Sequence, residues 1–282
     1  MAVKLVVDSA SDIDLKEAQA LGIHMIPMSI QFGDKTYEDG IDLSGPAFFE
    51  KLIESSELPT TSQITMFQFE ECFSKLTADG SEVVVITLSS KLSGTYAGAV
   101  SAARSFPGKV FVVDSLNVCI GERILIQYGV QLLKEGISAQ ELAERLEKER
   151  SRIKLMALLG TLEYLQKGGR ISAAVAVSGA VLHIKPVISV EDGEVKMVGK
   201  AMGSKKGNNL LMQLIGKSGG IDFEMPYATA YSGLEDSLLK KYLNDSVSIW
   251  EGKLEHIPSY CIGSTIGTHV GPGAIAVAFF AK

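Results

Sequence analysis

The 282-residue sequence predicts a mixed α/β fold with a parallel sheet in its N-terminal part. Residues 83–88 are an unbroken apolar run rich in β-branched side chains, which is typical of a strand buried on both faces. Small residues at helical spacing follow over 94–104, and a second apolar run comes at 110–113. A strand, a helix and a strand in this order predict a right-handed crossover, which places the two strands parallel in one sheet.

Capping residues mark the helices that precede this unit. Asp14 begins one helix, with Glu17 three residues later as its capping-box partner. Ser44 begins another, and Pro46 is tolerated in its first turn. In chain order the sequence predicts a strand at 3–7, a helix to residue 21, a strand with a small hairpin at 24–37, a helix from 45 and, after a polar loop at 58–63, a helix at 66–76.

The second half of the chain predicts another α/β domain, with a mixed sheet. Helices at 119–134 and 139–152 complete an N-terminal domain of residues 1–153, so the C-terminal domain is 154–282. Residues 173–182 are small and apolar throughout, which predicts a buried helix or the wall of a cavity. A short predicted helix begins at 162 and is ended by the paired glycines 168 and 169. The remaining predicted elements are strands at 185–190, 194–200, 227–232, 253–257 and 274–281, and helices at 205–216 and 235–243.

Composition excludes several classes of function. The formal net charge of −6 argues against a nucleic-acid-binding surface. No apolar stretch reaches the ~20 residues that cross a bilayer, so the sequence predicts a soluble, cytoplasmic protein without stable membrane insertion. The three cysteines have no metal-ligand spacing, and we expect no metal site and no cofactor. Nucleotide-binding fingerprints are missing as well.

Three predicted strands end in polar turns that contain Asp or Ser. These turns are Asp8-Ser9, the segment 89–93 and Asp114-Ser115. Ligands of open α/β sheets bind at the carboxyl ends of the strands, where these turns would lie. Ser93 stands where a helix N-cap belongs, and free N–H groups at a helix start favour an anion such as a carboxylate or phosphate. The alternative is a well-capped helix with no ligand.

One histidine stands apart from the other three. The stretch 262–273 places His269 among four glycines and several hydroxyl side chains, which predicts a loop that approaches a ligand closely. Ser93, His269 and either Asp8 or Asp114 would suit a serine hydrolase. Ser93 is not in a G-x-S-x-G elbow, however, and its hydroxyl neighbours favour binding over nucleophilic attack.

Six segments in order resemble the motifs of the DegV family of bacterial fatty-acid-binding proteins. The segments are DSASD at 8–12, TSQ at 61–63, LSSKLSGTY at 88–96, VDS at 113–115, LQKGGRIS at 165–172 and IGTHVGPGA at 266–274. The resemblance covers almost the whole chain. It implies two α/β domains with one long-chain fatty acid buried between them.

The resemblance also implies which residues bind the ligand and which partner uses it. The fatty-acid carboxylate would lie at Thr61, Ser62, Ser93, Gly94, Thr95 and His269, with Gly168, Gly169, Arg170, Gly267 and Thr268 as supporting loop residues. A separate ATP-dependent fatty-acid kinase would phosphorylate the carboxyl group for phospholipid synthesis. The chain itself would be a carrier with no catalytic residue, and a protonated His269 would favour the anion.

One departure from the family pattern concerns the kinase. Many relatives have an arginine shortly before a Lys-Lys pair, whereas here that region has Met202 before Lys205 and Lys206. These two lysines and Lys200 are candidates to replace the arginine in kinase docking. Two other functions stay open at this point: an acyl hydrolase or transferase that uses Ser93 and His269, and a carrier of another apolar anion such as an isoprenoid or acyl phosphate.

Overall fold

The computed structural model describes residues 2–172 and 184–282, which form a mixed α/β fold with three sheets. The first sheet consists of β1 (Val3–Asp8), β2 (His24–Ile26), β6 (Glu82–Thr87) and β7 (Val110–Asp114). All pairings in the order β2-β1-β6-β7 are parallel, as the sequence predicts. The valines of β6 are fully buried, because helices cover both faces of this sheet.

Six helices belong to this half of the chain: α1 (Leu15–Leu21), α2 (Gly45–Glu54), α3 (Met66–Thr77), α4 (Thr95–Ala103), α5 (Cys119–Leu133) and α6 (Ala139–Glu149). Asp14 caps α1 by accepting a hydrogen bond from the backbone N–H of Glu17 at 2.8 Å. The Glu17 carboxylate does not complete the predicted capping box, because it pairs with the buried guanidinium of Arg123 instead.

A small antiparallel sheet contains β3 (Ser29–Phe32), β4 (Lys35–Glu38) and β5 (Thr60–Ser62), in the order β4-β3-β5. The prediction of a polar loop at 58–63 is therefore wrong in part, since Thr60–Ser62 pairs with β3. The side chains of this short edge strand are all polar, so its sequence lacks the alternation of apolar and polar residues by which a strand is predicted. The predicted strand at 24–32 also divides, because β2 joins the parallel sheet and β3 the small one.

The second large sheet has six strands in the order β10-β9-β8-β13-β11-β12. It is mixed, because β11 and β12 are parallel while the other neighbours are antiparallel. Its strands are β8 (Ile153–Leu158), β9 (Ile184–Glu191), β10 (Glu194–Met202), β11 (Tyr227–Tyr231), β12 (Ser259–Cys261) and β13 (Ile275–Phe280). In the described residues of this half, the helices are α7 (Glu163–Lys167), α8 (Gly203–Lys217), α9 (Ser237–Asp245) and α10 (Ser264–Val270).

Two predictions for this half are wrong. The expected strand at 253–257 is a 3₁₀ turn at Leu254–His256, and the strand comes later, at β12. His269 lies in helix α10 rather than in a loop. Glycine normally disfavours a helix, but here the helix packs closely against α2. A Cβ atom added at Gly267 would lie only 2.6 Å from the Phe48 ring, so this close approach requires a glycine inside the helix.

The two large sheets occupy separate parts of the chain. The parallel sheet uses residues 3–114 and the six-stranded sheet residues 153–280. The domain boundary at 153 and 154 stays a prediction, and the predicted apolar segment 173–182 lies outside the described residues. Among the residues that the structure describes, none of the helices has both the length and the apolar character that a bilayer crossing demands.

Candidate functional site

An apolar cavity lies between the six-stranded sheet and the carboxyl edge of the parallel sheet. Its volume is about 790 Å³, including the open mouth. Most of its wall is aliphatic: Met28, Leu88, Leu92, Val118, Leu155, Ala157, Leu159, Leu165, Ile188, Val190, Val195, Ile262, Ile266, Val270, Ala274 and Ala276. Such a wall suits an unbranched apolar chain.

The polar residues of the wall include a hydrogen-bonded pair. Oγ1 of Thr61, on β5, lies 2.9 Å from Nε2 of His269, on α10, and the donor depends on the tautomer of the ring. The pair joins residues that are far apart in sequence. Ser93, Arg170, Thr265 and Cys119 complete the polar part of the wall.

The His269 ring is neutral at pH 7 in the ligand-free protein. Burial, and then the positive charge of Arg170, lower the pKa of His269 from 6.5 to about 4. At neutral pH the ring itself therefore supplies no positive charge to the cavity wall. Within residues 2–172 and 184–282, Nδ1 of this ring is buried and has no hydrogen-bond partner.

Arg170 places a cation beside that ring. The end of α7 and the turn at Gly168 and Gly169 position it, since Gly169 has φ of +70° and turns the chain sharply. The guanidinium donates from Nε to the carbonyl oxygen of Leu92 at 3.2 Å and from Nη1 to that of Gly168 at 2.6 Å. Arg170 is half-buried in the wall of the cavity, so it can attract an anion there.

Gly168 allows the ring to pack closely. A Cβ atom at this residue would overlap Nδ1 of His269. The backbone N–H of Gly168 donates to the carbonyl oxygen of Tyr164 at 2.8 Å. Its neighbour Gly169 is exposed, and a Cβ there would meet nothing within 4 Å. The two glycines therefore serve different purposes: one leaves room for the histidine and the other permits the turn.

The turn after β6 differs from its prediction in one respect. Helix α4 begins at Thr95, so Gly94 occupies the N-cap position that we assigned to Ser93. Ser93 Oγ accepts a hydrogen bond from the N–H of Thr95 at 3.2 Å and lies 3.0 Å from Thr95 Oγ1. The Thr95 hydroxyl is buried and accepts from the N–H of Ile64, so it braces the turn, whereas Ser93 lines the cavity.

This arrangement does not favour nucleophilic catalysis. A serine nucleophile needs a hydrogen-bonded base. Among the residues that the structure describes, the His269 ring pairs with Thr61, and the hydroxyl of Ser93 pairs with that of Thr95.

The other predicted residues lie beside the cavity rather than in its wall. Ser62 is exposed on β5 opposite Ser29, and Gly94 packs against the side chain of Gln63. Thr268 is buried, and its hydroxyl donates to the carbonyl oxygen of Ser264 at 2.9 Å. Their part in binding stays a prediction.

The aspartates at the strand ends are used inside the protein. Asp8 accepts hydrogen bonds from the N–H groups of Ala10 and Leu88, at 3.0 and 2.8 Å. Burial raises the pKa of Asp8 to about 7. Asp114 accepts from the N–H groups of Ser90 and Leu116 at 3.2 and 2.9 Å. These carboxyl groups hold the edge of the sheet in shape, and Leu88, Leu92 and Ser93 supply its cavity surface.

Sequence reasoning missed several wall residues. Thr265 lies one helical turn before His269, so recognising α10 would have identified it. Cys119 begins α5 with φ of +57°, and burial raises the pKa of its thiol well above the usual value. No local pattern marks Met28. In the ranges 2–172 and 184–282, His, Cys, Asp and Glu side chains form no group suited to a metal ion.

Comparison with protein families gives one match over nearly the whole chain. The family model described as "Uncharacterised protein, DegV family" matches residues 2–282. A DegV domain-containing protein of Caldanaerobacter subterraneus subsp. tengcongensis is 33% identical over 284 residues, which is 99% of each chain.

Solved structures give the same result. A DegV family protein from Thermus thermophilus, described by its fatty-acid binding, superposes with a TM-score of 0.89 at 28% identity over 100% of both chains. DegV of Bacillus subtilis, described as a fatty-acid-binding protein, has a TM-score of 0.84 at 28% identity, again over 100% of both chains. The fold described above is thus shared with proteins that bind fatty acids.

Proposed function

The chain belongs to the DegV family, and on that premise we propose that it binds one long-chain fatty acid in the apolar cavity and presents the carboxyl group to a separate kinase. The observation that carries this proposal is the combination of a largely aliphatic cavity with Thr61, Ser93, Arg170 and His269 in its wall. A long apolar chain with one acidic group has the chemistry that this wall matches.

The tail supplies most of the affinity in this proposal. Burying ~15 methylenes at about 0.8 kcal/mol each contributes on the order of 12 kcal/mol, from which the cost of ordering the ligand is subtracted. Each charge-assisted hydrogen bond to the carboxylate adds roughly 1.5–3 kcal/mol, which largely offsets the desolvation of the anion. The polar residues therefore fix the orientation of the acid, and they weaken binding when removed because the desolvation of the anion is then no longer offset.

The head group would lie among four polar side chains. The hydroxyls of Thr61 and Ser93 can donate to the carboxylate, and the His269 ring can donate from one nitrogen. Arg170 supplies the positive charge. When an anion takes this place, its charge would raise the pKa of His269 again, because an opposite charge favours the protonated ring.

Native mass spectrometry of freshly purified protein, followed by solvent extraction, tests the binding. We expect a stoichiometric adduct whose mass is that of a C14–C18 acid, in line with the ~15-methylene estimate. A different apolar anion in the extract, such as an isoprenoid phosphate, would replace the fatty acid in the proposal. Protein that is empty and also refuses added fatty acids would rule binding out.

The kinase step is the finer part of the proposal. The sequence has no phosphate-binding loop of the G-x-x-x-x-G-K-[ST] type, so ATP would come with the partner. Lys200, Lys205 and Lys206 are exposed at the junction of β10 and α8, where they can meet an acidic partner surface. We expect loaded protein, ATP and a bacterial fatty-acid kinase to yield an acyl phosphate.

Charge reversal tests the docking site on the carrier. Lys205→Glu with Lys206→Glu should slow phosphorylation while the affinity for fatty acid stays unchanged, because both lysines lie outside the cavity. Lys16→Glu with Lys109→Glu changes the net charge by the same amount at two exposed residues outside this junction, and is the control for net charge. Equal rates for all three proteins would place docking elsewhere. Hydrolysis of acyl esters that Ser93→Ala abolishes would instead favour an enzyme.

A further inference from the structure

One small sheet holds helix α10 near both of its ends. At the last turn, Thr61 of β5 meets His269 at 2.9 Å. At the first turn, Asp39, which directly follows β4, accepts two backbone hydrogen bonds. Its Oδ1 accepts from the N–H of Ser264 at 3.0 Å and its Oδ2 from the N–H of Thr265 at 3.3 Å.

The Asp39 carboxylate is itself fixed in place. Its side chain is buried, with 2% exposure, and its N–H donates to the carbonyl oxygen of Met28 at 2.9 Å. Asp39 forms a β-bridge with Leu43, whose carbonyl oxygen accepts a hydrogen bond from Ser264 Oγ at 3.0 Å. A carboxylate at a helix start is favourable because it accepts from N–H groups that have no partner within the helix.

Helix α10 depends on such contacts for its place. It has seven residues, and isolated helices of that length are marginal in water. Asp12 assists by accepting from the N–H of Gly263 at 2.8 Å, one residue before the helix. His269 lies in the last turn of this helix, so a shift of the first turn moves the ring relative to Thr61.

We propose that Asp39 is a positioning residue of the head-group site: its bidentate contact sets the position of α10 so that His269 faces both Thr61 and the cavity. The proposal rests on the proposed function for the identity of the ligand. Asp39 touches no ligand in this arrangement, since it lies outside the cavity wall. It acts through the helix.

Selective loss of head-group recognition distinguishes positioning from general stabilisation. In Asp39→Asn the amide keeps one acceptor oxygen, and its NH₂ group faces the other N–H. We expect the affinity for palmitic acid to fall about tenfold, the equivalent of about 1.4 kcal/mol. The reason is that the displaced His269 ring and Thr61 no longer form well-aligned hydrogen bonds with the carboxylate of the fatty acid. The affinity for hexadecanol should change much less, since the tail cavity is intact. Equal losses for both ligands, or no loss, would overturn the proposal.

A matched control removes a different helix cap. Asp14 accepts from the N–H of Glu17 at the start of α1, outside the cavity wall. Asp14→Asn should lower stability without separating the acid from the alcohol. A loss of acid affinity in this variant equal to that of Asp39→Asn would assign the effect to stability alone and overturn positioning.

A second pair of variants removes the contact from the helix side in case Asp39→Asn fails to fold. Ser264→Pro removes the backbone N–H that donates a hydrogen bond to Asp39 Oδ1. Proline is tolerated at the first position of a helix, which residue 264 occupies. Ser264→Ala keeps that N–H and loses only the hydroxyl contact to Leu43. We expect reduced acid affinity in Ser264→Pro beyond that of Ser264→Ala. The same affinity in both variants would contradict the proposal.

Nitrogen-15 NMR of the His269 ring gives a readout that needs no fatty acid. The Nε2 resonance of ligand-free protein should reflect the hydrogen bond to Thr61 and should shift in Asp39→Asn and Ser264→Pro but not in Asp14→Asn. An unchanged resonance in the first two variants would overturn the positioning role. If the wild-type protein binds no fatty acid, the proposed function fails, and the ring resonance still decides whether Asp39 positions His269.

Discussion

Thr61 and His269 are 208 residues apart in the chain, yet Oγ1 and Nε2 of their side chains lie 2.9 Å from each other. One residue comes from an edge strand of the small sheet and the other from the last turn of α10. The pair brings the N-terminal and C-terminal parts of the sequence together at the cavity wall. Any head group that binds there meets both side chains at once.

Removing either side chain of this pair should weaken binding of the acid. Thr61→Val deletes the hydroxyl at nearly constant volume, and His269→Gln deletes the ring. Because each change removes a hydrogen bond to a charged group, we expect the dissociation constant to rise about 10- to 100-fold in calorimetry. The double variant should lose less than the two single losses combined, since the residues contact each other.

Two controls accompany that experiment. The methyl ester of the same acid carries no charge, so its affinity should respond less. Thr77→Val removes a buried hydroxyl that donates to Phe73 at 2.8 Å, outside the cavity wall. If Thr77→Val weakened acid binding as much as Thr61→Val, the head group would not lie at Thr61.

The His269 ring should titrate far below an ordinary histidine. Burial and Arg170 lower its pKa to about 4, so a proton NMR titration of ligand-free protein should give a midpoint near that value. Arg170→Gln should raise the pKa by removing the positive charge, but burial should keep it below 6.5. A wild-type pKa near 6.5 would contradict the environment described for the ring.

The same shift predicts how stability depends on pH. Between pH 4 and 6.5 the unfolded chain protonates His269 while the folded protein does not. The free energy of unfolding should therefore fall as the pH is lowered through this range, by about 3 kcal/mol or less relative to His269→Gln. The comparison with His269→Gln is needed because the pKa values of Asp8 and Asp12 are raised to about 7 in the folded protein. Protonation of these two carboxyl groups increases the free energy of unfolding as the pH falls, which opposes the effect of His269. Parallel pH profiles of the two proteins would contradict the prediction.

The paired glycines at the end of α7 should respond differently to alanine. Gly168→Ala introduces a Cβ that overlaps the His269 ring, so it should reduce acid affinity. Gly169→Ala has open space but a φ of +70°, so it should cost roughly 1 kcal/mol of stability and leave the affinity unchanged. Urea unfolding and calorimetry on both variants separate the effects. Equal affinity losses would show that the loop as a whole, and not the contact of Gly168 with the ring, governs binding.

The parallel sheet could be predicted because its signals are local. An apolar β-branched run, a polar turn and a helix follow one another directly around residue 90, and each reports on its own conformation. The motif residues were also found, because turns rich in Ser, Thr and Gly stand out from the elements around them. Their family resemblance then indicated a ligand that the residues alone left open.

Helix α10 and strand β5 could not be predicted, because contacts from distant residues determine them. The first turn of α10 depends on Asp12 and Asp39, and Gly267 inside it suits the neighbouring Phe48. Strand β5 exists through its pairing with β3. The cavity is harder still, since its wall takes single residues from many elements, and a residue such as Met28 carries no mark of that role in its local sequence.

The length of the acyl chain should depend on two alanines that leave room in the cavity. Ala157 of β8 and Ala276 of β13 are directly paired in the sheet, and both line the wall. Ala276→Leu would fill part of the cavity, so the affinity for stearic acid should fall while that for a shorter acid such as capric acid is retained. Ala278→Leu is the matched control, because this residue is buried on the same strand but lies outside the wall. It should lower stability without changing the preference between the two acids. If Ala276→Leu weakened both acids equally, or shifted the preference no more than Ala278→Leu, the acyl chain would not pass these alanines and the tail would have to follow another part of the wall.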